Sequence, residues 1–250
     1  MRATDQLGEF RPVTPPGGAR REWQRAELVA AWPQTATARS LLLRPAHWQP
    51  HLPGQHYLVR LTAPDGYTAQ RSYSVASTAA RAGVVELVVE RLADGEVSPH
   101  LHDVLEVGET VEVRGPFGGY FTWSATTPAA LIGGGSGVAP LMSMLRAWRE
   151  VGGPVPLRMV VSVRAPGQLW FADEYGPETT VVYTRRAPAG LRRPPGRLDA
   201  DTLTAALDGL PADATVYVCG SHGFAEHVGR LLVAQHRDPA RIRIERFGPS

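Results

Sequence analysis

Leu131-Ile132-Gly133-Gly134-Gly135-Ser136-Gly137-Val138-Ala139-Pro140 decides the fold. An apolar run enters a glycine-rich turn and leaves it as a helix. Glycine lets backbone N–H groups approach a phosphate closely, and the first turn of the following helix carries partial positive charge. A glycine-rich turn alone reads equally well as a plain loop. The strand before it and the helix after it carry the diphosphate reading. Downstream, residues 157–163, 180–183 and 215–218 are apolar strands, and residues 241–245 form a last one. Helices are predicted over residues 137–150, where Met142, Leu145 and Trp148 fall at helical spacing, and over residues 201–207 and 223–236. Strands alternating with helices make a parallel α/β sheet covered on both faces.

Upstream of residue 124 the pattern is different. Six short runs, at residues 26–30, 38–43, 57–61, 73–76, 84–89 and 110–113, are separated by Gly and Pro and predict a small antiparallel β-barrel. Ser124-Ala125-Thr126-Thr127-Pro128 is a polar join of small residues. At roughly 150 residues per domain, the 250 residues leave room for two modest domains, each with its own core. The expected organisation is an N-terminal tail over residues 1–22, rich in Pro and Gly, a barrel over residues 23–124 and an α/β domain over residues 125–250.

Composition removes several chemistries. The chain has 43% hydrophobic and 20% charged residues, the profile of an ordinary globular protein, and no apolar run of the ~20 residues a membrane span needs. All 26 basic residues are Arg; without Lys there is no Schiff-base chemistry and no GK[ST] phosphate loop. The sole cysteine, Cys219, allows no internal disulfide, no Cys-rich zinc site and no Cys-ligated iron-sulfur cluster within this sequence. The Arg residues are scattered and nearly balanced by 24 acidic residues, so no nucleic-acid or membrane partner is expected. Arg20-Arg21 is followed by Glu22-Trp23-Gln24 rather than an apolar signal core, which predicts a cytoplasmic protein. The eight His residues fall in no zinc-hydrolase spacing, and there is no GxSxG elbow, so no metal site is expected.

Four further segments carry chemistry. Gln70-Arg71-Ser72-Tyr73-Ser74 lies on a barrel strand, with Arg71 and Tyr73 on one face and Ser72 and Ser74 on the other. Gly95-Glu96-Val97-Ser98 forms a turn, Val218-Cys219-Gly220-Ser221 ends a strand just before a helix, and Glu245-Arg246-Phe247 runs on from the end of the last strand. Taken in order with the glycine turn, these segments resemble the ferredoxin-NADP reductase superfamily over about residues 23–250. The resemblance implies an FAD-binding barrel followed by an NAD(P)-binding domain. It implies that Arg71 pairs with the flavin diphosphate, that Tyr73, beside Ser72, packs on the ring and ribityl region, and that Ser74 hydrogen-bonds near flavin N5. Gly95, Val97 and Ser98 would hold the same diphosphate through the turn. Gly133, Gly134, Gly135, Ser136 and Gly137 would take the coenzyme diphosphate, while Cys219 and Gly220 line the nicotinamide. Ser74, Cys219 and Glu245 are the implied catalytic residues, and Phe247, where plastid-type members carry Tyr, would stack on the flavin.

Arg164 follows one strand of the α/β half, and Thr184-Arg185-Arg186 follows the next. The resemblance implies that Arg164, Thr184 and Arg185 meet a 2'-phosphate, which favours NADPH and leaves NADH as the alternative. The expected activity is hydride transfer from NADPH to FAD, then one-electron delivery to a separate protein: a ferredoxin, a flavodoxin, or a haem- or molybdenum-containing acceptor. Two alternatives stay open. One is a free-flavin reductase; the other is a nucleotide-binding, redox-sensing subunit without turnover.

Overall fold

The computed structural model describes residues 22–248, so the expected N-terminal tail lies almost wholly outside the described residues. Six antiparallel strands come first: β1 (Gln24–Thr35), β2 (Ala38–Pro45), β3 (His56–Thr62), β4 (Thr68–Ser74), β5 (Val85–Glu90) and β6 (Thr110–Phe117). Their order in the sheet is β4-β3-β6-β1-β2-β5. Beyond the last residue of β4, a single bridge between Val75 and Leu87 joins the two edges and closes the barrel. Alternation explains the core: Tyr57 and Val59 of β3, Leu41 and Leu43 of β2, and Val85, Leu87 and Val89 of β5 all point inward and are buried. Five of the predicted runs fall on β1, β2, β3, β5 and β6, whereas the run at residues 73–76 overlaps only the last two residues of β4, whose earlier residues are mostly polar and exposed.

The second half alternates as expected. β7 (Ala129–Gly134) leads through the glycine turn into α1 (Val138–Glu150). Next come β8 (Leu157–Val163), β9 (Thr179–Tyr183), the short α2 (Ala200–Ala206), β10 (Thr215–Ser221), α3 (His222–Ala234) and β11 (Ile242–Phe247). The five strands are parallel, in the order β11-β10-β7-β8-β9. Successive side chains of one strand serve opposite faces. Ala129 and Leu131 pack with Leu141, Met142 and Leu145 of α1, whereas Ala130 and Ile132 pack with Leu203 of α2 and Val228 and Leu232 of α3. Burial on both faces is why these strands read as continuous apolar runs.

The α1 face is shared with the barrel. Ala38, Ala76, Val88, Phe121 and Trp123 belong to the same apolar cluster as α1, so the two halves are joined by a common core rather than by a tether. Arg243 of β11 adds a polar clasp, donating to the carbonyls of Tyr120 and Thr122 at 3.0 Å each. Among the described residues no helix is long and apolar enough to cross a membrane, and no group of three or more His, Cys, Asp or Glu could hold a metal ion.

Candidate active site between the two halves

The strand order positions the site. From β7 the chain runs outward through β8 and β9, then returns to β10 on the other side of β7. Ligands of open α/β sheets bind in the crevice outside the carboxyl ends of the strands at such a reversal. The glycine turn leaves β7 there, and Cys219-Gly220-Ser221 leaves β10 beside it, with Cys219 in register with Gly133.

The glycines divide into two kinds. A Cβ on Gly137 would run into the backbone carbonyl of Cys219, and one on Gly134 or Gly220 would lie 2.8 Å or 2.6 Å from the Phe224 ring. Gly133 is tight against Leu141, at 3.0 Å. These positions are small because two strand ends, α1 and α3 meet there. Gly135 alone has φ of +56° and open space around it, while Ser136 beside it is half-buried. No side chain caps the N-terminus of α1. An open cradle beside uncapped N–H groups fits a diphosphate. Gly137→Ala is therefore expected to destabilise the fold by ~1–3 kcal/mol through overpacking. Gly135→Ala should cost only about 1 kcal/mol of backbone strain while weakening coenzyme binding. Urea midpoints and coenzyme titrations of the two variants check this, and the reverse ranking of stabilities would refute it.

β11 completes the edge. Its Glu245 is in register with Cys219, and Phe247 with Ser221. Glu245 faces a cleft of about 310 Å³ whose other wall belongs to the barrel half, including Gly54, Tyr120 and Phe121. Burial pushes the Glu245 carboxyl from 4.5 up to about 7, and its Oε2 is buried without a hydrogen-bond partner. Burial also pushes the Cys219 thiol up, with the Glu245 charge adding to the rise, so the neutral thiol is favoured. Phe247 is half-buried against the α1-side core.

Between pH 4.5 and about 7 the folded chain retains a proton on Glu245 that the unfolded chain releases, so this group lowers stability as pH rises through that window. Glu245→Gln should leave the Tm unchanged at pH 4 and raise it at pH 8. An equal change at both values would refute the shift.

On the barrel side, Ser74 is the last residue of β4, buried, and in register with His56 of β3. Burial holds the His56 imidazole below its ordinary pKa. Tyr73 lies half-buried against the barrel core, and burial raises its phenol to about 12. Ser72 is exposed on the opposite face. Arg71 is 55% exposed and lies 3.7 Å from Glu96, so the fold brings the strand and the turn at residues 95–98 together. In that turn Val97 is buried, and the Ser98 hydroxyl accepts the Leu92 N–H at 3.1 Å, leaving its proton to donate. A Cβ on Gly95 would lie 2.8 Å from that hydroxyl. An exposed guanidinium fork fits a flavin diphosphate, while Ser98 itself is buried.

Arg164 and Arg185 are also brought together. The Arg185 and Arg186 N–H groups both donate to the Arg164 carbonyl at 3.0 Å, and Thr184 donates to Val163 at 2.8 Å. The side chains of Arg164 and Arg185 are exposed at the carboxyl edge of the sheet, and that of Thr184 is half-buried. Two residues of the cleft escape a reading of the sequence. Gly54, with φ of +94°, is closely covered by the Phe121 carbonyl, and Tyr120 stands 65% exposed at the rim. Pro53-Gly54 reads as a turn, which is all that a local signal can give.

Comparison with known proteins agrees with this architecture. Residues 33–122 match the family described as oxidoreductase FAD-binding domain, and residues 131–230 match oxidoreductase NAD-binding domain. A flavohemoprotein of Rhodopirellula baltica is 32% identical over 220 residues, covering 80% of this chain and 53% of that protein. The toluate 1,2-dioxygenase electron transfer component of Pseudomonas putida is 29% identical over 205 residues, 80% of this chain and 59% of that protein. The chain thus spans little more than half the length of these relatives. Among solved structures, the Amycolatopsis cytochrome P450 reductase GcoB superposes with a TM-score of 0.75 at 25% identity, covering 92% of this chain and 71% of that one. The ferredoxin reductase in carbazole 1,9a-dioxygenase gives 0.75 at 25% identity, covering 91% and 69%. With an FAD-binding barrel and an NAD-binding α/β half meeting at one cleft, the chain belongs to the ferredoxin-NADP reductase superfamily.

Proposed function

We propose that the chain is an FAD-dependent reductase that accepts hydride from NADPH and delivers electrons singly to a separate redox protein. The observation that carries this is the cleft in which a desolvated Glu245, in register with buried Cys219, faces the barrel wall. Bound FAD would supply the conversion of a two-electron hydride donor into single electrons. The chain's own residues supply placement, which is most of what hydride transfer asks of a protein. Arg71 and Ser98 would anchor the flavin diphosphate, and Ser74 would offer its hydroxyl at N5. The cradle at Gly135 and the first turn of α1 would hold the coenzyme diphosphate. Cys219 and Gly220 would border the nicotinamide, where a neutral thiol excludes water without presenting a charge.

The acceptor is an oxygenase component, a ferredoxin or a haem protein. Support comes from relatives named as electron transfer and reductase components of dioxygenases and monooxygenases. Anaerobic mixing of the flavin-loaded protein with NADPH or NADH, followed by a panel of such acceptors, tests the reading. Absence of flavin bleaching with both coenzymes would overturn it.

A free-flavin reductase is the second reading, favoured by the exposure of Arg71 and its pairing with Glu96. Dialysis separates the two, since an electron-transfer component keeps its yellow colour and a free-flavin reductase loses it.

A further inference from the structure

Outside the cleft, Arg146 joins the two halves through its side chain. It projects from the third turn of α1 toward the barrel, and its guanidinium meets four groups. It donates to the Ala76 carbonyl at 2.8 Å and to Glu86 Oε2 at 2.7 Å, both in the barrel half. It also makes a two-point fork with the Glu174 carboxylate in the nucleotide half, and stacks 5.1 Å over the Phe171 ring. Glu86 is only 2% exposed and accepts a second bond from the Ser40 hydroxyl at 2.9 Å. Paired carboxylates raise the Arg146 pKa against the opposing effect of burial, so the charge is held.

Two segments of the proposed site are connected to this contact along the chain. Ala76 lies two residues beyond Ser74, and α1 carries the glycine cradle at its other end, ~12 Å away for eight residues of helix. Ser143, one turn earlier on the same helix, donates to the Ser77 carbonyl at 2.7 Å. The apolar core between the halves is non-directional and tolerates a slide. A planar fork with fixed donors does not.

We propose that Arg146 is a positioning residue that fixes α1, and the coenzyme cradle on it, against the barrel segment bearing Ser74, and so sets the hydride-transfer distance. This rests on the reductase reading above. The test uses FAD-loaded wild type, Arg146→Lys, and the double variant Arg146→Met with Glu86→Gln, which leaves no buried carboxylate without its cation.

Stopped-flow reduction by NADPH should show the limiting rate falling about tenfold or more in the double variant, since small misplacements are costly, while FAD content and coenzyme Kd stay within about twofold. Arg146→Lys should recover part of the rate. The long-wavelength charge-transfer absorbance on mixing should weaken in step with the rate. Hydrogen exchange at residues 75–79 should quicken in the variants whether or not coenzyme is present. An unchanged limiting rate in the folded double variant overturns the positioning role alone. So does a rate loss matched by an equal loss of coenzyme affinity. A wild type whose flavin is reduced by neither coenzyme overturns the reductase reading and this proposal with it.

Discussion

Arg71→Ala is expected to leave a folded protein that purifies largely without flavin. The side chain is 55% exposed and its ion-pair partner, Glu96, is 53% exposed, so its removal takes little from the fold itself. Toward a diphosphate the same guanidinium can offer two parallel N–H bonds to charged oxygens. Bonds to charged groups contribute ~1.5–3 kcal/mol each, so losing the fork should weaken FAD by about 3 kcal/mol or more, over a hundredfold in Kd. Removing the side chain also frees the Glu96 carboxylate to repel the phosphates. Flavin absorbance after gel filtration, with the Tm recorded alongside, checks both halves of the statement. A full complement of tightly bound FAD in the variant would remove Arg71 from the site.

Arg164→Ala combined with Arg185→Ala should bring NADPH and NADH close to parity. The two loops abut through the bonds to the Arg164 carbonyl, so their exposed guanidiniums can reach one phosphate. Each charge-assisted contact contributes ~1.5–3 kcal/mol, so losing both predicts a fall of about a hundredfold or more in NADPH affinity. NADH presents only hydroxyls at that place and should change little. Higher salt should weaken NADPH more than NADH in the wild type, because an exposed phosphate site is screened. Glu90 of the barrel also faces this region; burial raises its carboxyl and the Arg164 charge opposes that rise. A wild type that prefers NADH, or a double variant that retains its NADPH preference, would refute the assignment.

The features legible in the sequence are those written into short runs. The apolar run at residues 129–132 and the glycines after it gave strand, turn and helix. The run at residues 70–74 gave the barrel's polar strand. What escaped lies in register and long-range approach. Arg146 reads as one solvated Arg among 26, because its carboxylate Glu86 is 60 residues away in the chain. Glu96 sits inside a recognised turn, yet nothing local announces that it reaches Arg71, 25 positions earlier. Gly134 and Gly137 read as phosphate glycines and Gly220 as a nicotinamide neighbour, whereas packing between strand ends and Phe224 requires all three first.

The barrel closes through a single bridge beyond the last residue of β4, so β4 is continuously paired on one side only. Its other margin, beside Gln70 and Arg71, is a free strand edge. Such edges are templates on which another chain can build, and proteins commonly blunt them with charge. A cofactor lying along this margin would act as a plug. The exposed Arg71 charge likewise guards this seam against pairing with a second chain.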